Sequence, residues 1–234
     1  MKCVILAGGK GTRLSELTNK IPKPMVKILG KPIICHIIEH YFKYGFKEFI
    51  IAAGYKKKII KEYFSKKKFP HLKIDVVDTG IDTMTGGRLR RLKKILKNET
   101  FMMTYGDGLS NVNLKKLLKF HKSHKKISTL TSVRPPARFG AIKIKKNNQV
   151  TYFKEKSILD TGWINGGFFV FEPKIFNFIK SDKTFLEKEP LQKISKKKEL
   201  LAFKHFGYWQ CMDTLRDKKL IETRLKEIKK KSHY

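Results

Sequence analysis

Short apolar runs alternate with segments of helical spacing along the first 133 residues, and this order constrains the fold more than any other feature. Five runs have the length of buried strands: residues 3–7, 49–53, 74–77, 101–105 and 128–133. Helical spacing of apolar residues lies between them, in residues 32–44 and 59–64 and in two stripes, Leu89, Leu92, Leu96 and Leu114, Leu117, Leu118, His121. The alternation predicts an α/β fold with a Rossmann-like, mixed but mainly parallel sheet flanked by helices.

The pattern changes after Pro135 and Pro136. Residues 141–144 and 150–153 alternate apolar and polar side chains across a turn at Asn147-Asn148, which predicts a hairpin. Four further elements are expected: an apolar strand over 163–171, a helix opened by Pro173, a strand over 200–206 and a basic helix over 215–229. The chain has no linker, repeat or low-complexity tract, so we expect a single domain over residues 1–234.

The charge balance is strongly basic. Lysine and arginine total 53 against 20 acidic residues, a formal net charge of +33, and such a field attracts polyanions, including nucleic acids. Arginine, the usual residue for bidentate contacts to bases, supplies only eight of these cations, and the lysines are scattered in short runs such as residues 56–58. We therefore expect no specific nucleic-acid partner, only weak binding that fades with salt.

Hydropathy and cysteine usage both bear on the compartment. No apolar run approaches the ~18 residues needed to cross a bilayer, and the apolar start runs directly into glycines rather than a cleavage site. We expect no membrane association and a cytoplasmic location. Cys3, Cys35 and Cys211 are far apart and form no CxxC pair, which argues against disulfides and a thiolate metal site and favours buried thiols.

The strongest local signal is the stretch Leu-Ala-Gly-Gly-Lys-Gly-Thr-Arg-Leu at residues 6–14, followed by Pro-Lys-Pro at 22–24. A strand that ends in several glycines leaves backbone N–H groups free to approach an anion closely. Arg13 and Lys23 add two cations at the same place. The stretch is neither a Walker A motif nor a complete GxGxxG, because Leu14 stands where the third glycine would be. It predicts a phosphate-binding loop of another kind.

With these residues the chain resembles the sugar-1-phosphate nucleotidyltransferases, and among them the glucose-1-phosphate cytidylyltransferases. The resemblance runs nearly end to end. Beyond the glycine loop it is carried by Asp-Thr-Gly at 78–80, Thr-Met-Thr-Gly-Gly-Arg-Leu at 83–89, Thr-Tyr-Gly-Asp-Gly at 104–108, Arg-Phe-Gly-Ala at 138–141, Glu-Lys at 155–156, Trp-Ile-Asn-Gly-Gly-Phe-Phe at 163–169, and Gly-Tyr-Trp-Gln-Cys-Met-Asp-Thr at 207–214. It implies the nucleotide-diphospho-sugar transferase type of α/β fold.

Two carboxylates are candidate metal ligands, and the first of them, Asp107, follows a predicted strand. Asp107 could be a turn residue between two glycines, and Asp213 could cap the following helix. The resemblance instead implies that both bind one Mg²⁺ ion, a cation that usually takes few protein ligands and keeps some waters.

The resemblance also implies the reaction and its residues. An oxygen of the sugar 1-phosphate attacks the α-phosphorus of a nucleoside triphosphate in line, and pyrophosphate leaves, so the protein has to align two anions and neutralise developing charge. The implied catalytic residues are Arg13 on the leaving phosphates, Lys23 between the α-phosphate and the sugar phosphate, and Asp107.

The implied nucleotide-binding residues are Leu6, Ala7, Gly8, Gly9, Gly11, Thr12, Arg13, Thr85, Gly86, Gly87, Tyr105 and Gly106. The implied sugar-phosphate-binding residues are Lys23, Arg138, Gly140, Glu155, Lys156, Asn165 and Gly166. Two alternatives stay open: Gly86 and Gly87 could form only the first turn of a helix, and Glu155 could be a surface residue at a strand end. Trp163 and Trp209 are expected in the core.

The function expected from the resemblance is formation of CDP-glucose and pyrophosphate from CTP and α-D-glucose 1-phosphate, with residues 1–133 holding the nucleotide and 134–234 the sugar. The alternatives are a related enzyme for another nucleotide or sugar phosphate, a non-catalytic nucleotide-sugar-binding regulator, and a nucleic-acid-binding protein. A homo-oligomer is expected. The link after Phe64 is shorter than the insertion that cytidylyltransferases of this type carry, which bears on both assembly and base preference.

Overall fold

The computed structural model describes residues 1–66, 69–135, 140–155 and 162–231. The helices are α1 Ser15–Thr18, α2 Ile33–Lys43, α3 Lys57–Lys66, α4 Thr85–Arg91, α5 Lys93–Leu96, α6 Leu114–His124, α7 Glu189–Lys196 and α8 Leu215–Lys231. The strands of the first half are β1 Lys2–Ala7, β2 Lys27–Ile28, β3 Lys31–Pro32, β4 Glu48–Ala53, β5 Lys73–Asp78, β6 Phe101–Tyr105, β7 Gly108–Ser110 and β8 Ser128–Val133. Those of the second half are β9 Ala141–Ile144, β10 Val150–Lys154, β11 Ile164–Asn165, β12 Phe169–Phe171, β13 Leu200–Lys204 and β14 Trp209–Cys211.

An eight-stranded, mainly parallel sheet forms the centre of the molecule. Its order is β11-β8-β12-β6-β1-β4-β5, and β13 pairs with β8. Strands β6, β1, β4 and β5 are parallel neighbours, and β11 and β12 run antiparallel to β8. Alternate residues of β1 enter separate cores on the two faces of the sheet, which is the expected burial for parallel strands. The predicted α/β fold and its mixed, mainly parallel sheet are confirmed.

The prediction of one strand over residues 163–171 is wrong. The segment forms two short strands, β11 and β12, which pair with opposite ends of β8. The break lies at Gly167 and Phe168, whose φ angles are +75° and +48°. A left-handed backbone cannot continue a β-ladder, so the apolar run folds as two pieces.

Other expectations for the second half are met in part. The hairpin of β9 and β10 and the final helix α8 are present, while the expected helix at Pro173 is a 3-10 helix over Pro173–Phe178. The pattern did not predict β7, β14 or α7. No helix within residues 1–66, 69–135, 140–155 and 162–231 is long and apolar enough to span a membrane.

The site elements meet at one edge of the sheet. Strands β1 and β6 are parallel neighbours, with Leu6 opposite Tyr105, so the segments that follow them leave the sheet side by side. The first is the glycine loop, and the second begins with Gly106 and Asp107. Ligands of open α/β sheets bind at this carboxyl edge.

Candidate active site

Two hydrogen bonds to the carbonyl of Gly8, the first glycine of the loop, hold the glycine loop in place. The Gly8 carbonyl accepts hydrogen bonds from the Tyr55 N–H at 3.0 Å and from Arg88 Nη2 at 2.8 Å. The described residues contain no cis peptide, and in a trans peptide the N–H points opposite to the carbonyl, so the Gly9 N–H is directed away from Arg88. Gly11 then takes a φ of +67°, a left-handed conformation that glycine adopts without strain.

Arg13 lies on the 3-10 helix Thr12–Leu14 that follows this loop. Thr18 on α1 fixes the turn, because its hydroxyl lies 2.9 Å from the Gly11 carbonyl oxygen. The Arg13 side chain is 74% exposed and donates through Nη1 to the Asp213 carboxylate at 2.7 Å. The loop therefore presents an exposed cation that is paired with an acidic residue opposite.

Pairing of β7 with β14 brings Asp107 and Asp213 together. Gly108 lies opposite Cys211 in this antiparallel ladder, and the Met212 N–H donates to the Asp107 carbonyl at 2.8 Å. Asp107 comes directly before β7, and Asp213 comes shortly after β14. The two aspartates are more than a hundred residues apart in sequence, but they are neighbours at one end of the ladder.

Lys23 lies between these two carboxylates. Its Nζ is 2.6 Å from Asp107 Oδ2 and 2.8 Å from Asp213 Oδ1, while the residue as a whole is 8% exposed. The position is fixed by the 3-10 helix Lys23–Met25, which begins after the extended Pro22. One cation thus bridges two acids in a partly buried cleft.

The pKa values of this cluster follow from burial opposed by charge. Burial disfavours the charged form of Lys23, but the carboxylates of Asp107 and Asp213 outweigh it and raise the pKa of the ammonium. Burial likewise acts to raise the pKa of Asp213, and the Lys23 hydrogen bond together with the charges of Lys23 and Arg13 lowers it below its usual range. Lys23 and Asp213 are therefore both ionised at neutral pH.

Asp217 holds the backbone around Asp213 at the start of α8. It is 4% exposed, and its Oδ2 accepts from the Asp213 N–H at 3.0 Å and from the Thr214 N–H and hydroxyl, each at 2.9 Å. The Thr214 hydroxyl in turn accepts from the Asp217 N–H, which makes a reciprocal capping arrangement.

We expect Asp217→Ala to lower the free energy of unfolding by about 2 kcal/mol, because the cap is lost and buried N–H groups lose their acceptor. Asp217→Asn should recover part of this loss, since its amide oxygen can still accept. Urea unfolding monitored by circular dichroism measures both variants. Equal stability of the alanine variant and the unchanged protein would show that the cap contributes little.

A cavity of about 350 Å³ opens in front of the loop. It is lined by ten of the residues expected to bind the nucleotide, Leu6, Ala7, Gly8, Gly9, Gly11, Thr12, Arg13, Thr85, Tyr105 and Gly106, together with Lys23 and Asp107. The sequence did not assign five other lining residues: Pro24, Thr83, Met84, Arg88 and Phe185. The motif that contains Arg88 was visible in the sequence, but nothing in it indicated what this side chain does.

Gly86 and Gly87 lie within α4 and do not line this cavity. A Cβ on Gly87 would overlap the backbone of Asp182, and one on Gly86 would lie 2.8 Å from the Thr184 carbonyl oxygen. The structure therefore ties both glycines to close packing of the segment before α7, and their contact with a nucleotide stays a prediction.

The same segment supplies a carboxylate that the sequence did not suggest. Glu187 accepts from the Thr85 hydroxyl at 2.6 Å and from the Tyr105 hydroxyl at 2.7 Å. Asn165 Nδ2 donates to the Tyr105 hydroxyl at 3.2 Å. A hydrogen-bonded chain thus joins residues expected on the nucleotide side to one expected on the sugar side.

The other residues expected at the sugar phosphate do not share one environment. The Gly166 N–H donates to the Thr131 carbonyl, and the Gly166 carbonyl accepts from Trp209 Nε1. Hydrogen bonds within the protein therefore occupy both groups. Glu155 is exposed at the end of β10, and a Cβ on Gly140 would lie 3.0 Å from its carboxylate. Arg138 and Lys156 lie outside the described residues.

The two tryptophans, expected in the core, are half-buried. Trp209 packs against the core on one face of the sheet, whereas the Trp163 ring lies against Phe206, Arg134 and Lys204. Trp163 is therefore a surface ring covered by cations rather than a core residue.

Nucleotidyltransferases generally use a divalent metal ion, and the acidic pair fits one. Asp107 and Asp213 offer hard oxygen ligands that already converge on one cation, the Lys23 ammonium. Within the described parts of the chain, no group of three His, Cys, Asp or Glu side chains could hold a metal. Burial and the charge of Asp213 raise the pKa of Cys211 to about 12, so this neighbouring thiol stays protonated and is a poor ligand.

Comparison with known proteins shows the family of the chain. Residues 2–224 match the nucleotidyl transferase family. Glucose-1-phosphate cytidylyltransferase of Salmonella typhimurium is 47% identical over 95% of both chains, and the probable glucose-1-phosphate cytidylyltransferase of Bacillus subtilis is 42% identical over 93% of both. The crystal structure of HddC from Yersinia pseudotuberculosis complexed with GMP-PN has a TM-score of 0.76 at 27% identity and covers 96% of this chain and 99% of its own. The chain belongs to the nucleotidyl transferase family, in the group that includes the glucose-1-phosphate cytidylyltransferases.

Proposed function

We propose that the protein joins CTP and α-D-glucose 1-phosphate to form CDP-glucose and pyrophosphate. The observation that carries this proposal is the convergence of the glycine loop, Arg13 and Lys23 with Asp107 and Asp213 around one cavity. The choice of CTP and glucose 1-phosphate is supported by 47% identity to a glucose-1-phosphate cytidylyltransferase over 95% of the chain.

The chemistry needs no nucleophile from the protein. The phosphate oxygen of the sugar phosphate attacks the α-phosphorus of CTP, and the bond to the β-phosphate breaks. The work of the chain is to bring two anions together against their repulsion and to hold them in line. Backbone N–H groups of the loop and the exposed Arg13 bind the leaving phosphates, and Lys23 binds the phosphate oxygens where the new bond forms.

Lys23 has to change partners for this role. In the free protein its ammonium lies between Asp107 and Asp213, at the point where a cation bound by both would lie. When bound there, Mg²⁺ would be held by the two carboxylates and would neutralise charge on the phosphates. Lys23 then turns from the carboxylates to the phosphates, and the phosphates take the place of the carboxylates as its anionic partners.

The two halves of the chain divide the substrates. Residues 1–133 supply the cavity in front of the loop, apart from Phe185, and hold the nucleotide. Residues 134–234 supply Asn165, Glu155 and Gly140 for the sugar, together with Arg138, Lys156 and Gly166. The Tyr105–Glu187–Thr85 contacts connect the two sides.

A panel of substrates tests this function directly. The protein is incubated with each common nucleoside triphosphate and a series of sugar 1-phosphates in the presence of Mg²⁺, and pyrophosphate is measured. We expect the highest kcat/KM for CTP with glucose 1-phosphate. A higher value for another pair would replace the substrates but keep the reaction, and no pyrophosphate from any pair would contradict the enzyme.

A further inference from the structure

Arg88 on α4 lies behind the glycine loop, where the residue is 4% exposed and also reaches the wall of the cavity. Its guanidinium makes three short hydrogen bonds, to the Gly80 carbonyl at 2.7 Å and to the Thr79 hydroxyl and the Gly8 carbonyl, each at 2.8 Å. Longer contacts reach the carbonyls of Ala53 and Ile81, at 3.4 and 3.5 Å. One side chain therefore joins the ends of β1, β4 and β5.

The charge of Arg88 is not neutralised by these partners. All five acceptors are carbonyl or hydroxyl oxygens, and arginine keeps its proton inside proteins. Burying a cation without an anionic partner is costly unless other interactions repay it. The hydrogen bonds and the nearby charge of Asp78 offset part of the cost. An anion bound on the other side of the loop would offset the remaining cost of burying this charge.

Two glycines make room for this guanidinium. A Cβ on Gly8 would overlap the Arg88 side chain, and a Cβ on Gly54 would overlap the same side chain and lie 2.6 Å from the Gly80 carbonyl oxygen. The first glycine of the loop is therefore required by the side chain behind it as well as by any ligand in front of it. Gly8, Gly54 and Arg88 form one packed unit.

We propose that Arg88 is a positioning residue for the phosphate-binding loop. It holds the Gly8 carbonyl on its own side, so that the Gly9 N–H is turned the other way, and it adds a buried positive charge behind the loop. The inference rests on the proposed function only in that a triphosphate occupies the loop. It identifies a residue that fixes the shape of the loop from behind, without taking part in the transfer itself.

The first test measures binding of CTP with Mg²⁺ by calorimetry, without sugar phosphate. Arg88→Ala should weaken binding by about 10- to 100-fold, because a charged hydrogen-bonding group is lost. Added guanidinium ion should restore part of the affinity, and ethylammonium should not. Arg90→Ala, an exposed arginine on the same helix, is the control and should change affinity less than about 2-fold. Guanidinium that restores the Tm of Arg88→Ala but not its affinity would overturn the proposal.

A second pair of variants tests the positioning role of Arg88 if Arg88→Ala does not fold. Thr79→Val removes the hydroxyl that accepts from Arg88 and keeps the shape, whereas Thr79→Ser keeps the hydroxyl. We expect CTP affinity to fall by about 3- to 10-fold in Thr79→Val, which loses the hydrogen bond from the charged Arg88 and the one that the hydroxyl donates to the Ala53 carbonyl, and to stay near normal in Thr79→Ser. Equal affinities of the two variants would contradict the role of Arg88.

Failure of the proposed function would look different from failure of this inference. If CTP is not the nucleotide, the unchanged protein forms no CDP-glucose, and the comparison is repeated with the triphosphate that it binds most tightly. The variants should raise KM for that nucleotide and leave KM for the sugar phosphate within about 2-fold, because Arg88 lies behind the nucleotide loop. A rise in the sugar-phosphate KM alone would overturn the positioning role.

Discussion

Asp107→Ala is expected to lower kcat/KM by about 1,000-fold or more while the protein stays folded. The Asp107 carboxylate is one of the two acidic groups that converge on Lys23, at 2.6 Å, and we propose that it holds the divalent cation. Its backbone carbonyl, which accepts from the Met212 N–H, is kept in the alanine variant. Pyrophosphate release gives the rate, and circular dichroism with thermal unfolding reports on the fold.

The control for this variant is Asp75→Ala. Asp75 is an exposed carboxylate on β5, and its removal changes the net charge by the same amount. We expect its kcat/KM to stay within about 2-fold of normal, because exposed charges far from a site act weakly through solvent. Normal turnover in Asp107→Ala would show that the assignment of the metal ligand is wrong.

Lys23→Ala should reduce kcat/KM by about 100- to 1,000-fold, because the phosphates lose the cation that offsets their repulsion. The same change removes the bridge between Asp107 and Asp213, so the two carboxylates face each other in a partly buried cleft with only the exposed Arg13 paired to Asp213. Breaking a buried ion cluster in this way costs about 3 kcal/mol of folding stability. Steady-state kinetics and thermal unfolding measure the two effects separately.

A divalent cation should distinguish the two effects of this variant. In Lys23→Ala the carboxylates are free to bind Mg²⁺ without displacing an ammonium, so Mg²⁺ should raise its Tm more than that of the unchanged protein. Lys27→Ala serves as the control, since Lys27 is exposed on β2. Equal kinetic effects of Lys23→Ala and Lys27→Ala would mean that the glycine loop and Lys23 do not hold the phosphates.

The parts of the fold that sequence reasoning predicted are those set by local pattern. Strands β1, β4 and β6 are short apolar runs buried on both faces, β5 is a partly buried strand at the edge of the sheet, and the hairpin of β9 and β10 alternates as an exposed pair does. The cationic glycine loop was visible because glycine, arginine and lysine at that spacing have few other uses. Such features depend on neighbours in sequence.

The features that were missed depend on partners far along the chain. The β7–β14 ladder joins two three-residue strands, each too short to show a period, yet it is what brings Asp107 and Asp213 together. The break between β11 and β12 requires a positive φ at Phe168, a residue whose side chain gives no sign of it. Glu187 reaches Tyr105 and Thr85 from a segment that pattern alone left unassigned.

Arg88 illustrates the same limit for function. Its motif was recognisable, but its importance comes from a guanidinium packed between Gly8 and Gly54, and no sequence pattern shows that these glycines face one arginine. Burial of an arginine without a carboxylate partner is visible only in three dimensions. The sequence thus identified the residues of the phosphate loop that face the ligand, and the structure was needed to identify Arg88, which supports the loop.

In the proposed mechanism a single cation bound by Asp107 and Asp213 holds a triphosphate against the glycine loop. A crystal of the protein grown with CTP and Mn²⁺, measured at the manganese absorption edge, would show where this cation binds. We expect an anomalous peak about 2.1 Å from an oxygen of each aspartate, with Lys23 Nζ moved from the carboxylates to a phosphate. A bound triphosphate whose manganese touches neither aspartate, with Lys23 still between them, would contradict it.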